Sequence, residues 1–474
     1  MIAPRQARNH RARHNGQISH WMTGSDTPPR ARPALDGDIT ADICIVGGGY
    51  SGLWLAYHLS GILPQASIVI VEKHRVGYGG SGRNAGWLSA LVPGNRKAFS
   101  RSAGSRQAGI DLQRRMLDAV DEVLDVIGRE KLPASARRSG NLVIARNRAA
   151  LARLDARRAG DLDWGLTPDE VVRLDQSEVL QRIDASGAIG GLFYPAVGRV
   201  DPAGLVGGLA DLLGSRGVTI LEDTEVTQIE PGLVRTRRGA VIASKVLRCT
   251  EAYSASLGAD TRRIIPVNSS IVVTDPIPED LWNQIGWSGY ECFSDAAHVF
   301  SYAQRTDDGR IVIGGRGNPY RFGSNPGTDG VVDQGTIDAL TNRLHSFFPA
   351  LRQVPIAHAW CGVIGVTRDW CASVEFDAET GVGWTQGYAG HGVTSAYLAS
   401  KSLAALVSGQ GGPDADLAWV GRQARRWEPE PVRWLGVHGM YRLFALADTW
   451  EERRQAEKTS LLAQVGSRLA GLHE

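Results

Sequence analysis

Gly47, Gly49 and Gly52 stand at G-x-G-x-x-G spacing, and Glu72 lies twenty residues beyond the last of them. Such a set can hold the ADP part of a dinucleotide. The first glycine permits a tight turn, the second lets a pyrophosphate approach the backbone, and the third lets a helix pack closely on a strand. N–H groups at the helix start, around Tyr50 and Ser51, then face the phosphates. A carboxylate at Glu72 accepts hydrogen bonds from both ribose hydroxyls and repels a 2′-phosphate. The elements needed to position these residues are written around them: a buried-strand pattern at 43–46, an apolar helix, and a second strand at 68–71. A bare glycine fingerprint is a weak signal, whereas strand, helix, second strand and terminal acid together make a complete βαβ unit. By itself this unit fits NAD as well as FAD.

Two further glycine loops carry chemistry. Residues 75–95, RVGYGGSGRNAGWLSALVPGN, include five glycines between Gly77 and Gly86, with Ser81, Arg83 and Asn84 among them. That density allows close approach to a flat or phosphorylated ligand, beside side chains that can hydrogen-bond to it. The alternative reading is a plain linker. The second loop, Gly387-Tyr388-Ala389-Gly390-His391-Gly392, joins a strand to a long helix of small residues. This geometry aims a helix N-terminus at an anionic or electron-accepting group, and a reduced flavin ring is one such group. His391 would add to that field, against the ordinary expectation that a loop histidine is structural. Thr250, Glu251 and Tyr253 in TEAYS follow a strand end where a ligand would sit. Arg316 lies among Gly314, Gly315 and Gly317, which break a strand as expected for close backbone approach or for a simple bulge.

The remaining composition bounds the alternatives. A chain of 474 residues has room for two domains and a large core. A formal net charge of +2, with basic residues spread through the chain apart from the N-terminus, argues for a small-molecule partner and against nucleic acid. The five cysteines form no C-x-x-C pair, which points to reduced thiols and a cytoplasmic location. Residues 1–37 are arginine-rich, with Arg5, Arg8, Arg11, Arg13, Arg30 and Arg32, and read as a flexible arm. No apolar run reaches membrane-spanning length, so no membrane span is expected. No His/Cys cluster has metal-site spacing, so no metal is expected.

Along the chain, residues 105–131 have the apolar spacing of a long amphipathic helix. A strand at GNLVIAR and a charged helix over 149–159 follow, and Thr167 is placed to cap a helix starting at Pro168. Residues 202–215 read as a helix leading back into an α/β pattern. Between 264 and 359 short alternating strands separated by turn residues predict an antiparallel sheet.

The ordered set of motifs, the fingerprint at 42–72, GYGGSGRNAGW, FYPAVGRVDPAGLVGGLA, EDTEV, TEAYS, IGGRG and GYAGHGVTSAYLASKSLAAL, resembles the FAD-dependent D-amino-acid oxidase-like (DAO) superfamily, nearest its γ-glutamylputrescine oxidase-like branch. The resemblance covers about 20–450. It implies an α/β fold, α+β overall. A Rossmann-like FAD-binding domain of glutathione-reductase type would comprise 38–96, 197–262 and 360–412. A discontinuous antiparallel-sheet substrate domain would comprise 97–196 and 263–359, and 413–474 would form a helical tail.

It also implies non-covalent FAD, a small amine or amino-acid substrate, and oxygen or another electron acceptor. A hydride would pass from the carbon beside the amine nitrogen to flavin N5, leaving an imine that hydrolyses. Carried over by position, Gly47, Gly49, Tyr50, Ser51, Gly52, Glu72 and Lys73 would hold the ADP part, and Val226 would offer its backbone to adenine. Gly79, Ser81, Gly82, Arg83, Asn84, Ala85 and Gly86 would line the pyrophosphate and flavin. Thr250 and Gly362 would also touch the cofactor, and Gly387, Gly390, His391, Gly392, Val393 and Thr394 would meet the pyrimidine side of the flavin. His391, Arg316 and Tyr253 are the candidate catalytic residues.

The chain departs from the family pattern at Asp369-Trp370-Cys371-Ala372, where relatives often carry a proline. It also lacks a lysine matching the oxygen-activating one of the sarcosine oxidase branch. A pyridine-nucleotide disulfide reductase is excluded by the missing second fingerprint and cysteine pair. Other readings are a dehydrogenase of a non-amine substrate and a flavin-binding protein without substrate oxidation, the latter disfavoured by the intact loop at 387–392.

Overall fold

A computed structural model describes residues 10–23, 31–257, 262–327 and 329–470. The expected arm at 1–9 and 24–30, with Arg5, Arg8 and Arg30, lies outside the described residues, as do the last four residues of the tail.

Two large sheets organise the chain. The first is built on parallel pairing: Thr219–Leu221, Ile68–Val71, Ile39–Val46, Gly239–Arg248 and Val382–Gln386 run side by side, each parallel to its neighbour. Antiparallel strands Val226–Glu230 and Leu233–Thr236 extend it, and Ser373–Asp377 pairs with Val382–Gln386. Its central strands are apolar on both faces, with Ile43, Cys44, Ile45 and Ile70 at 0–1% exposure, as parallel strands covered by helices must be. The helices Tyr50–Ile62, Pro202–Ser215 and Gly392–Ser408 supply Leu53, Trp54, Leu55, Leu205, Leu209, Leu398 and Leu403 to that core. The amphipathic helix Arg106–Arg129 joins them, burying Leu112, Met116, Val120 and Val123.

The second sheet has nine strands in the order His14–Asn15, Ile356–Thr367, Ile264–Thr274, Ile311–Gly315, Tyr302–Arg305, Cys292–Asp295, Asn141–Ala145, Gly190–Tyr194 and Val172–Leu174. Its centre is antiparallel, as the alternating pattern predicts. One face packs Leu142, Ile144, Phe293, Ile311 and Ile313 against the helix Gln334–Phe347. The other carries Asn141, Tyr194, Tyr302, Gly314 and Trp360, in register across the strands; Tyr194 packs on the helix Arg148–Asp163, while Trp360 donates to Arg83 O of the glycine loop at 77–86.

Three expectations change. The arm is not a free arm over 10–23: His14–Asn15 pairs in parallel with His358 and Ala359, and Ser19 is wholly buried. Arginine content suggested a solvated segment, yet Arg13 is paired with Asp275 and the backbone is taken up by a sheet edge. Strand Ile356–Thr367 belongs throughout to the nine-stranded sheet, so a division at 360 falls inside a strand. Residues after Thr167 make only a turn before the strand Val172–Leu174, because Glu170 folds back to accept from the Thr167 N–H.

Candidate functional site

The fingerprint glycines are where side chains have no room. Gly47 has φ +112°, and a Cβ there would lie 2.7 Å from the Cys249 carbonyl oxygen. A Cβ on Gly52 would lie 2.0 Å from the Gly47 carbonyl oxygen, and one on Gly49 2.8 Å from Ser81 Oγ. Gly49 starts the helix Tyr50–Ile62 without a side-chain cap. The Ser81 hydroxyl instead accepts from the Tyr50 N–H at 2.8 Å, joining the first two glycine loops.

Glu72 ends its strand half-buried, its two oxygens accepting from the Gly48 and His74 N–H groups. Burial raises its pKa, opposed by those same bonds. Lys73 turns outward to pair with Glu225 at 2.7 Å, and Val226 begins the adjacent edge strand.

Within the loop at 77–86 the side chains mostly serve the loop itself. Gly79 precedes a single turn at Gly80–Arg83, and a Cβ on Gly82 would meet the Gly77 carbonyl at 2.4 Å. The Asn84 amide donates to Ser81 O and its oxygen accepts from the Gly86 N–H. Ala85 is buried, and Gly86 has φ +72° with Val200 O 2.2 Å from its absent Cβ. Arg83 is a correction. Its guanidinium is buried away from the loop mouth, donates to Gln17 O at 2.8 Å and stacks on Tyr78, so it ties the loop to the N-terminal segment. Trp21 Nε1 and the Ser19 hydroxyl donate to the carbonyls of Asn84 and Gly82, reinforcing that tie.

The third loop is tied to the first. Ser51 Oγ shares a hydrogen bond of 2.9 Å with Tyr388 OH, which reaches on to Thr385. Glu251 makes a bracket that its sequence setting does not reveal. It adopts φ +46° and accepts from the N–H groups of Gly365, Gly387 and Tyr388. Thr250 beside it bonds Ser254, while Gly362 packs against Arg83. Gly387 and Gly390 take φ +87° and +106°. His391 then starts the helix Gly392–Ser408 with no side-chain cap, Val393 is buried, and Thr394 Oγ1 is buried without a hydrogen-bond partner. The departing segment Asp369 to Ala372 seals the floor beneath: Cys371 is buried, and the Ala372 N–H donates to Pro93 O.

These features fit FAD. The uncapped start of the helix Gly392–Ser408, the start of the helix Tyr50–Ile62 beyond the Tyr50 N–H that Ser81 already holds, a backbone cradle at Gly47, Gly49 and Gly52, and an orphaned hydroxyl at Thr394 provide donors for phosphate and ring acceptors. His391 differs from expectation. Burial, with Arg157 and Arg316 nearby, lowers its pKa to about 4, so it is neutral near pH 7 and adds no positive charge. Its Nδ1 meets Ser89 Oγ at 3.1 Å. Because the folded chain holds the imidazole neutral down to about pH 4 while its ordinary value is 6.5, stability falls as pH drops through that window. His391→Asn is expected to lose less melting temperature than wild type between those limits, checked by thermal melts across pH.

His391 also faces a cavity of about 380 Å³ lined by Trp87, Asn141, Arg153, Arg157, Tyr194, His298 and Phe300 among others. Asn141 Oδ1 is buried there with no partner. Arg316, one residue past the strand Ile311–Gly315, is half-buried and close enough for its charge to act on His391 and Tyr302. It makes no ion pair or hydrogen bond among the described residues. Tyr253 is not brought to this group: its ring lies 3.1 Å from the Cβ position of Gly79, at the nucleotide end. Arg153, Arg157 and Asn141 escaped sequence reading, since nothing in a charged helix and a short strand says that they converge.

Comparison with known proteins agrees with this geometry. The chain is 30% identical over 382 residues to the γ-glutamylputrescine oxidoreductase of Escherichia coli (strain K12), covering 79% of this chain and 85% of that protein. It is 25% identical over 347 residues to the sarcosine oxidase subunit beta of Rhizobium meliloti (strain 1021), covering 69% and 75%. Glycine oxidase from Geobacillus kaustophilus superposes with a TM-score of 0.65 at 20% identity, over 79% of this chain and 96% of that one, which speaks to the fold. The description "DAO: FAD dependent oxidoreductase" matches residues 42–406. With its glycine cradle, paired helix starts and two-sheet architecture, the chain belongs to the DAO family of FAD-dependent oxidoreductases.

Proposed function

We propose that this enzyme oxidises the C–N bond of a small amine or amino acid, and that Arg316 holds an anionic group of the substrate. The observation that carries the reading is Arg316 itself. A half-buried guanidinium that makes no ion pair among the described residues, close enough to a neutral His391 for its charge to act there, is a ready partner for a carboxylate. The names of the relatives, which act on γ-glutamylputrescine and sarcosine, support the amine class.

Bound FAD supplies the electron sink, so the protein's task is chiefly to bind and orient. The glycine loops at 47–52, 79–86 and 387–394 hold the cofactor in this reading, with Glu72 on the ribose. Neutral His391 leaves the positive field on its side of the cavity to Arg157 and Arg316, and Trp87 adds an apolar ring to the cavity wall. The tyrosine Tyr302, hydrogen-bonded to Ser269 at 2.6 Å, presents a fixed ring on the same sheet face. Tyr253 serves the nucleotide end in this reading. The electron acceptor is oxygen or another oxidant. The five free cysteines, all buried, fit a reducing, cytoplasmic setting, and among the described residues no helix is long and apolar enough to cross a membrane.

Anaerobic mixing of the purified holoenzyme with γ-glutamylputrescine, sarcosine and glycine tests the reading by loss of the flavin colour. Bleaching by an amine is expected; bleaching only by hydroxy acids or NADPH would overturn it. Arg316→Leu should raise the half-saturating concentration of a carboxylate-bearing substrate about 10- to 100-fold, the loss of a charged hydrogen bond of roughly 1.5–3 kcal/mol. Oxygen consumption in the same assay separates oxidase from dehydrogenase.

A further inference from the structure

Part of the wall of the cavity that His391 faces is held by the C-terminal tail. Arg153 and His298 line it, and both are engaged by Glu451 of the tail helix Val432–Arg454. Arg153 Nη1 donates to Glu451 Oε2 at 2.6 Å, and His298 Nε2 meets Glu451 Oε1 at 3.0 Å. Glu451 is wholly buried although it belongs to a largely exposed helix. One turn earlier, Asp448 accepts from the N–H groups of His298 and Val299 at 2.8 and 2.9 Å. Arg153 Nη2 closes the set by donating to Ala296 O at 2.8 Å. The segment 296–300, which contributes Ala296, Ala297, His298 and Phe300 to the cavity wall, is therefore gripped from both sides.

His298, Asp448 and Glu451 place ligand atoms within 4.8 Å of one another, yet Arg153 already supplies the positive charge there. The group is a clamp, not a cation site. The tail helix also lies beyond residues 42–406, the part that matches the family.

We propose that Glu451 is a positioning residue for substrate selection: it fixes Arg153 and His298 as one wall, so that the enzyme favours amines long enough to reach from the His391 side to that wall. This rests on the amine-oxidising reading above. A volume of about 380 Å³ lies within the range of roughly 300–1,000 Å³ that pockets offer to ligands well above glycine in size. A substrate confined to the His391 side gains nothing from that wall. One that spans the cavity binds against it, and losing a charged hydrogen bond at that wall, roughly 1.5–3 kcal/mol, weakens binding about 10- to 100-fold.

The test compares wild type with Glu451→Gln by anaerobic flavin reduction, using γ-glutamylputrescine as the long probe and glycine as the short one. For the long probe the half-saturating concentration is expected to rise about 10- to 100-fold, with the limiting rate changed less than about twofold, as for an interaction made equally in the bound and reacting states. The short probe should be unaffected. Equal losses for both probes, or a loss confined to the limiting rate, would overturn the proposal. Hydrogen exchange of the same holoenzymes reads the clamp without any substrate: exchange at 296–301 should rise about tenfold or more in the variant. Unchanged exchange there would also overturn it, even if neither amine bleaches the wild-type flavin. Failure of all amines, with exchange raised as expected, strikes the functional reading and leaves the clamp standing.

Discussion

Gly52→Ala is expected to give a colourless protein. The added methyl would sit 2.0 Å from the Gly47 carbonyl oxygen, a backbone atom with little freedom to yield. Gly47 is itself fixed, its N–H donating to Val71 O at 2.9 Å and its own Cβ position closed by Cys249 O. Relief therefore requires the helix Tyr50–Ile62 to move off the strand Ile39–Val46, which carries its N-terminus away from the pyrophosphate. Overpacking of this kind costs about 1–3 kcal/mol where side chains can adjust, and more against backbone. A displacement costing about 3 kcal/mol of binding weakens FAD affinity by roughly two decades. The ratio of flavin to protein absorbance and a titration of apoprotein with FAD measure it. Gly61→Ala, near the end of the same helix, is the control: its Cβ would meet nothing within 4 Å. That variant should retain flavin and gain up to about 1 kcal/mol from helix propensity.

Glu251→Ala is expected to be the most destabilising single change outside the apolar core. Its carboxylate receives N–H groups from Gly365 in one sheet and from Gly387 and Tyr388 in the third glycine loop. All three donors belong to buried residues, so removing the acceptor strands them together. A buried donor left unsatisfied costs about 1–3 kcal/mol, and several losses at one point place the total at roughly 3–5 kcal/mol. Glu251→Gln, which keeps one carbonyl acceptor, should fall between. Denaturant melts of the apoproteins compare the three. The variant should also release flavin readily, because the strand carrying Gly362 and the loop carrying Gly390 and His391 lose their side-chain bracket and keep the weaker tie of the Ala389 N–H to Gly365 O at 3.2 Å.

The two glycine loops and the βαβ unit were legible in the sequence because their signals are local. A strand, a tight turn and a helix occupy adjacent residues, and each glycine does its work against neighbours within the same unit. The antiparallel sheet was legible for the same reason, from alternation within short segments. Partners distant in sequence were not. Arg83 looked like a ligand-facing cation, yet its direction depends on Gln17, which is visible only once the N-terminal segment is laid along the strand Ile356–Thr367. Tyr253 stands in a motif that ends a strand correctly, but the register of the two sheets places it at Gly79 and not at His391. Arg153 and Arg157 are one helical turn apart, and ordinary surface helices carry such pairs everywhere; only the packing of the helix Arg148–Asp163 against the second sheet turns them inward. His391 was singled out by its place in the loop and lines the cavity, while its neutral state follows from burial and two arginines contributed by other parts of the chain.

The N-terminal segment has a thermodynamic consequence. Through Gln17, Ser19 and Trp21 it touches the reverse side of the loop whose front is proposed to meet the flavin. Two ligands of one loop are linked: whatever factor the docked segment adds to FAD affinity, FAD adds to the docking of the segment. Loss of cofactor and exposure of residues 10–23 to a protease would then be two readings of one equilibrium, and saturating FAD would slow cleavage there by the same ratio.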